Sequence, residues 1–132
     1  MAYGKIVADQ IQHSSEGTVG TQYVVNGSAK VWASYSQHNE VVNNSFNESS
    51  VTDINTGDFD LNYISAMSSQ WYSVSGIASA ARVTVSHRTG DNFATNGSTT
   101  TVFKCNTSYA SGTGSIDYDT RPTTITIVGD LA

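Results

Sequence analysis

Carboxylates, histidines and one thiol are the side chains here with chemistry to offer, and their spacing decides what each can do. Asp53-x-Asn55-x-Gly57-Asp58-x-Asp60 sets oxygens at alternate positions around a glycine, as the opening of a calcium loop does. Such a loop needs a bidentate glutamate at its twelfth position, and counting from Asp53 lands on Ile64. A tight turn with polar residues facing outward explains the same letters and is the reading favoured here. Calcium stays open at loop ends that Asp117 and Asp119 would join. Glycan hydrolysis needs two carboxylates flanking the scissile bond, and the pairs to nominate are Asp58/Asp60 and Asp117/Asp119. At i and i+2 on a strand such pairs stand side by side on one wet face, which serves solubility. His13, His38 and His87 form no close pair, and with a single Cys they are a poor zinc set. One His per chain, repeated around a threefold axis, is the remaining way to a metal. With 19 serines, proximity to His and Asp comes by chance, and no nucleophile-elbow motif is present. Cys105 lies in the strand-like run Thr101–Thr107 and reads as a buried structural thiol. The expectation is no enzyme, no metal and no cofactor.

The elements that must position these groups are strands. Phe59, Leu61 and Tyr63 point one way while Asp58, Asp60 and Asn62 point the other, a half-buried strand with one wet face. Before it, Asn55-Thr56-Gly57 forms a short link ending in the residue most at ease with φ > 0. Ser50–Ile54 completes the hairpin with β-branched Val51, Thr52 and Ile54. Asn26-Gly27, after Tyr23-Val24-Val25, predicts a second hairpin turn. Further strands are predicted over Lys30–Ser36, Val41–Phe46, Trp71–Gly76, Ala81–His87, Ser98–Thr107 and Thr123–Val128, with Ile125 and Ile127 inward. Gln37–Glu40, Arg88–Gly97 and Ser108–Gly114 read as loops, the last one mobile. The aromatics Trp32, Phe46, Phe59, Tyr63, Trp71 and Phe103 are read as core. The fold class predicted is all-β: a jelly-roll-like antiparallel β-sandwich over residues 29–132, with an extended N-terminal arm over 1–28. That arm spreads Ile6, Val7, Ile11 and Val19 thinly among polar residues and has too little apolar area to order alone.

The 132 residues suffice for one modest core. There are 19 Ser, 16 Thr and 10 Asn against 17 charged residues, which favours a β surface of hydroxyls and amides over helical faces. Net charge is −5 and the six basic residues are scattered, so no stripe exists to neutralise phosphates, and nucleic acid is not an expected partner. No apolar run reaches the roughly 18 residues of a membrane span. No secretory h-region is seen at the N-terminus, so synthesis in a cytoplasm is expected.

Three stretches carry a likeness. Val24–Trp32 (VVNGSAKVW), the S-F-N-x-S-S-V-T-D-x-x-T-G-D-F core of Ser45–Tyr63, and the ending Val128–Ala132 resemble small tail-fibre-type proteins of marine and freshwater bacteriophages. Ala8–Ser15 is similar to the attachment end of such fibres. The likeness spans nearly the whole chain and thins over Arg82–Tyr118, the stretch where such proteins differ most. It implies a virion component of the tail that binds a receptor on the host surface, glycan or protein, and associates as a homotrimer beside other tail proteins. It carries over no catalytic residues. On that reading the arm attaches the subunit through Ile6, Ile11 and His13. The loops then recognise the host surface: His38, Asn39, Arg88, Asp91, Asn92 and Asp117 offer polar contacts, and Tyr109 and Tyr118 stack on sugar faces. A capsid decoration or head fibre without a receptor role, and a carbohydrate-binding module, are the alternatives.

Overall fold

A period of two in β-branched and aromatic residues governs the molecule from Ala29 onward, and each such run forms a strand. The computed structural model describes residues 7–15, 17–80, 83–88 and 97–132, with His13 described in its backbone. In chain order the elements begin with β1 (Gln10–His13), β2 (Gly17–Gly20) and α1 (Thr21–Gly27). Then come β3 (Ala29–Ser36), a 3-10 turn (Gln37–Asn39), β4 (Val41–Phe46), β5 (Glu48–Asn55) and β6 (Asp58–Tyr63). The last are β7 (Ser73–Ala78), β8 (Val83–His87), β9 (Val102–Ser111), β10 (Gly114–Asp117) and β11 (Thr123–Val128).

The chain is an antiparallel β-sandwich. One sheet runs β4-β3-β11-β7 and the other joins β5, β6, β9, β10 and β8. In the second sheet β9 has three partners for two edges. β6 pairs with Asn106 down to Val102 and β10 with Ser108 through Ser111, so these two do not overlap. β8 covers Cys105–Tyr109 and overlaps both. Hence β6 and β10 abut end to end along one edge of β9 while β8 takes the other. The joint falls at Thr107, whose N–H donates to Gly57 O (2.7 Å) and whose carbonyl accepts from Tyr118 N (2.9 Å).

Alternation decides what is buried. Val31, Ala33 and Tyr35 from β3 and Ile125 and Ile127 from β11 face Phe59, Leu61 and Tyr63 from β6 and Phe103 and Cys105 from β9. Full burial of a side chain such as Phe59 or Leu61 contributes roughly 1.5–3 kcal/mol. The Phe59 and Tyr35 rings meet across the two sheets at 5.0 Å between centroids. Cys105 is fully buried, and desolvation pushes its thiol up in pKa, out of the range of a nucleophile.

Residues 7–28 differ from expectation in local structure. Asn26-Gly27 does not turn a hairpin, because Tyr23–Val25 lie inside α1. Without a neighbouring strand to pair with, these residues close their hydrogen bonds locally. Thr21 Oγ1 pins the helix start by donating to Ala8 O at 2.8 Å, and the Lys30 ammonium donates to Val25 O at the other end, where a cation is favoured. The hairpin of this region is instead β1-β2, turning at Ser14-Ser15. No residue of α1 is buried.

Candidate functional site

The turn Asn55-Thr56-Gly57 reaches the predicted positive φ at Gly57 (75°). Its oxygens are gathered by an amide. Gln37, 2 % exposed, donates from Nε2 to Asp53 Oδ1 (2.9 Å), Asn55 O (2.8 Å) and Asp58 O (3.2 Å). Gln37 Oε1 in turn lies 3.4 Å from the buried Thr107 hydroxyl. That hydroxyl also reaches Tyr118 O at 2.8 Å, and Gly57 N donates to Asp119 Oδ1 at 2.7 Å. Three segments remote in sequence (the Gln37–Asn39 turn, the Asn55–Gly57 turn and residues 117–120) are therefore locked together at one end of the sandwich. Buried polar groups satisfied in this way make a rigid platform. Among the described residues no three His, Cys, Asp or Glu side chains gather as a metal ion would require.

On this platform the long β9–β10 hairpin continues beyond the core. Tyr109 and Tyr118 meet edge to face, 6.1 Å between centroids at 79°, and with Ala80 and Val83 they line a hollow of about 250 Å³. Tyr118 remains 46 % exposed, so an aromatic wall with a hydroxyl at its tip is open to solvent. His38 and Asn39 are exposed on the neighbouring turn, tied in by His38 N donating to Thr120 O at 3.4 Å. Asp117 shares the Asn106 amide with Asp58, at 3.0 and 2.9 Å. What this end can do is stack an apolar ring face and hydrogen-bond hydroxyls around it.

Of the residues singled out from sequence, the structure brings His38, Asn39, Tyr109 and Tyr118 to this end, whereas Asp117 points to the outward face of the second sheet, where it meets Asn106 beside Asp58. Arg88 belongs elsewhere: its guanidinium is paired with Asp60 on the outward face of the second sheet. Asp91, Asn92 and Ile6 lie outside the described residues. Ile11 and His13 lie on β1, with Ile11 51 % exposed. The loop expected over Ser108–Gly114 is corrected to strand, since β9 runs on to Ser111 and β10 starts at Gly114. The reason is pairing: Tyr109 and Ile116 sit opposite each other and supply the apolar content that Gly112-Thr113 lacks.

Three aromatics read as core are not core. Phe46 is 55 % and Trp71 76 % exposed, and Trp32 is half-buried on the outward face, paired with Phe46. The alternation of Lys30–Ser36 already set Trp32 opposite Val31, Ala33 and Tyr35, and that signal outranks hydrophobicity alone. His87, inward as its parity predicts, packs edge-on against Phe103 at 4.9 Å with Nδ1 3.0 Å from Ser98 Oγ, and burial lowers its pKa. Compared with protein-family models, with curated proteins and with solved structures, the chain matches none.

Proposed function

We propose that this chain is a structural subunit of a bacteriophage tail fibre that contributes to host adhesion by non-covalent contacts. One observation carries the reading: the two ends of the sandwich have different jobs to offer. β3 starts where residues 7–28 join and ends at the Gln37–Asn39 turn, so its eight residues span about 26 Å between the arm and the tyrosine-lined end. An adhesion subunit needs that polarity, with attachment at one pole and recognition at the other. The arm exposes Val7, Ile11, Tyr23 and Val25, side chains suited to burial against a tail protein or a second copy. At the far pole, Tyr109 and Tyr118 supply a stacking wall, and His38 and Asn39 supply polar contacts for a surface glycan. The likeness of Ser45–Tyr63 to phage tail-fibre-type proteins points the same way. Each contact is weak, and repetition around a symmetric fibre converts weak contacts into avidity.

Two measurements test it. Gold-labelled antibody on intact particles should mark the tail tip, and labelling of the capsid surface would instead favour a decoration protein. The purified chain should compete with particles for host adsorption. Tyr118→Ala and Tyr109→Ala should each weaken that competition about tenfold or more, as loss of an aromatic anchor does. Unchanged competition by both variants would sink the assignment of this end.

A further inference from the structure

The hollow at the tyrosine-lined end is the mouth between the two sheets. Tyr109 and Val83 are register partners on β9 and β8, and they share the inward parity of Phe103, Cys105 and Val85. Tyr118 closes the hollow on that side, and Ala80, just past β7 of the other sheet, closes it on the opposite one. Arg121 belongs to that opposite wall. Its N–H donates to Ser79 Oγ at 2.9 Å, and Ser79 N donates to Pro122 O at 2.9 Å. Residue 121 is thereby seated against Ser79, the neighbour of Ala80. The side chain is exposed, and its guanidinium has no hydrogen-bond or ion-pair partner among the described residues. The other described cations are matched to oxygens. Arg88 pairs with Asp60, opposite which Lys104 stands on β9, and the Lys30 ammonium is held by Val25 O and Ser28 Oγ.

We infer that the ligand of this end is an acidic sugar, a hexuronate whose ring lies in the hollow against Tyr118 and whose carboxylate pairs with the Arg121 guanidinium. The inference rests on the reading of this end as a glycan site and names the class of glycan it takes. Volume sets the first limit. About 250 Å³ is below the roughly 300–1,000 Å³ of drug-sized sites, so the hollow admits one ring of a chain and not several. Chemistry sets the second. Two phenol rings and two aliphatic side chains line the hollow, which suits the face of a sugar ring and carries no charge. Charge recognition comes from Arg121 on the wall. A guanidinium presents parallel N–H donors in a planar fork that a carboxylate meets with both oxygens, and such bonds are about twice as strong as neutral ones. A neutral sugar leaves that fork to water. The net charge of −5 does not decide against an anion here, because exposed charges beyond about 8 Å are largely screened at physiological salt. Of the acids adjacent in sequence, Asp119 Oδ1 accepts from Gly57 N and Asp117 turns outward to Asn106.

Methyl glycosides of glucuronic, galacturonic and mannuronic acid, each beside its neutral hexoside, test it in NMR titrations of the full chain. At least one uronide should bind about tenfold or more tighter than its hexoside at about 0.15 M salt, and the gap should narrow at about 1 M. Arg121→Gln should erase that gap and leave binding of the hexoside unchanged, while Tyr118→Ala should weaken both. Arg121→Gln keeps the backbone bond to Ser79, and an unchanged urea midpoint shows that it folds. Uronides that bind no better than hexosides, or not at all, overturn the inference. So does a gap that survives Arg121→Gln, and so does a 6-sulfated hexoside that binds as tightly as the uronide, which marks a general anion site. Failure here is separable from failure of the fibre proposal. Hexosides that bind through Tyr118 without regard to charge remove the inference and leave the adhesive end standing. A chain that takes uronides through Arg121 yet does not compete for host adsorption supports the site and removes the fibre.

Discussion

Replacing Gly57 by alanine tests whether the tyrosine-lined end depends on one close approach of backbones. A methyl at Gly57 would stand 2.5 Å from Thr107 O, 2.8 Å from Asp117 Cβ and 2.9 Å from Tyr118 N. Two of these are backbone atoms and the third is fixed to the backbone of β10, so no flexible side chain can swing aside. The residue also sits at φ 75°, where an alanine costs roughly 1–2 kcal/mol. Moving the turn away to relieve the clash weakens two hydrogen bonds, Thr107 N to Gly57 O and Gly57 N to Asp119 Oδ1, both 2.7 Å. At about 0.5–1.5 kcal/mol each, the total comes to about 2–5 kcal/mol, a large share of the roughly 5–15 kcal/mol that holds a domain folded. Urea unfolding followed by circular dichroism measures it. Gly112→Ala is the control, since a Cβ there meets nothing within 4 Å. The expected order is wild type close to Gly112→Ala, with Gly57→Ala far less stable and its competition for host adsorption lost with the platform. A Gly57→Ala protein within about 1 kcal/mol of wild type would show that the β6–β10 joint yields easily, and the platform argument would fall.

Thr107→Val keeps the shape and removes the hydroxyl that reaches Tyr118 O, Gly57 O and Gln37 Oε1. It should cost about 1–3 kcal/mol in urea unfolding, and a neutral result would mean the hub is ornamental. Deleting residues 1–28 should leave one cooperative unfolding transition, because no residue of α1 is buried, whereas loss of cooperativity would place the arm inside the fold. Stability should fall at both ends of the pH scale. Burial lowers His87, so the unfolded chain takes up its proton first; stability is full above about pH 6.5 and declines as pH falls toward the lower folded value. His87→Gln should flatten that acid limb in unfolding measured from pH 7.5 to 5. Burial raises Tyr35 to about 12 and raises Tyr63 and Tyr72 as well, so stability present below about pH 10 is lost as pH rises above it. A flat alkaline limb would mean that these tyrosines titrate alike in the folded and unfolded chain.

Recognition of the site from sequence was partial, and the divide has a physical cause. Tyr109, Tyr118, His38 and Asn39 were legible as polar and aromatic residues near strand ends. Their meeting was not, because it depends on Thr107, which meets Gly57 and Gln37 across 50 and 70 positions of chain. Ala80 and Val83 give no chemical signal and line the hollow only because β8 takes the free edge of β9. Trp32 was misjudged where hydrophobicity was weighed above parity, and Phe46 because a register shift opposite Ser34-Tyr35 turns it away from the face that Val42 packs on the core.

Alternation is a local property that the sequence settled alone along Asp58–Tyr63, and turn chemistry was settled so at Gly57 but not at Asn26-Gly27. Period two set Phe59, Leu61 and Tyr63 inside and Asp58, Asp60 and Asn62 outside, and the need for φ > 0 put glycine at position 57. Strand partnership is a long-range property that no local pattern encodes. Only the tertiary structure decided that β6 and β10 share one edge of β9, and that Tyr23–Val25 curl into a helix for want of a neighbour. Side-chain period follows from backbone geometry within a few residues, whereas pairing is chosen by the total of contacts made once the whole chain has collapsed.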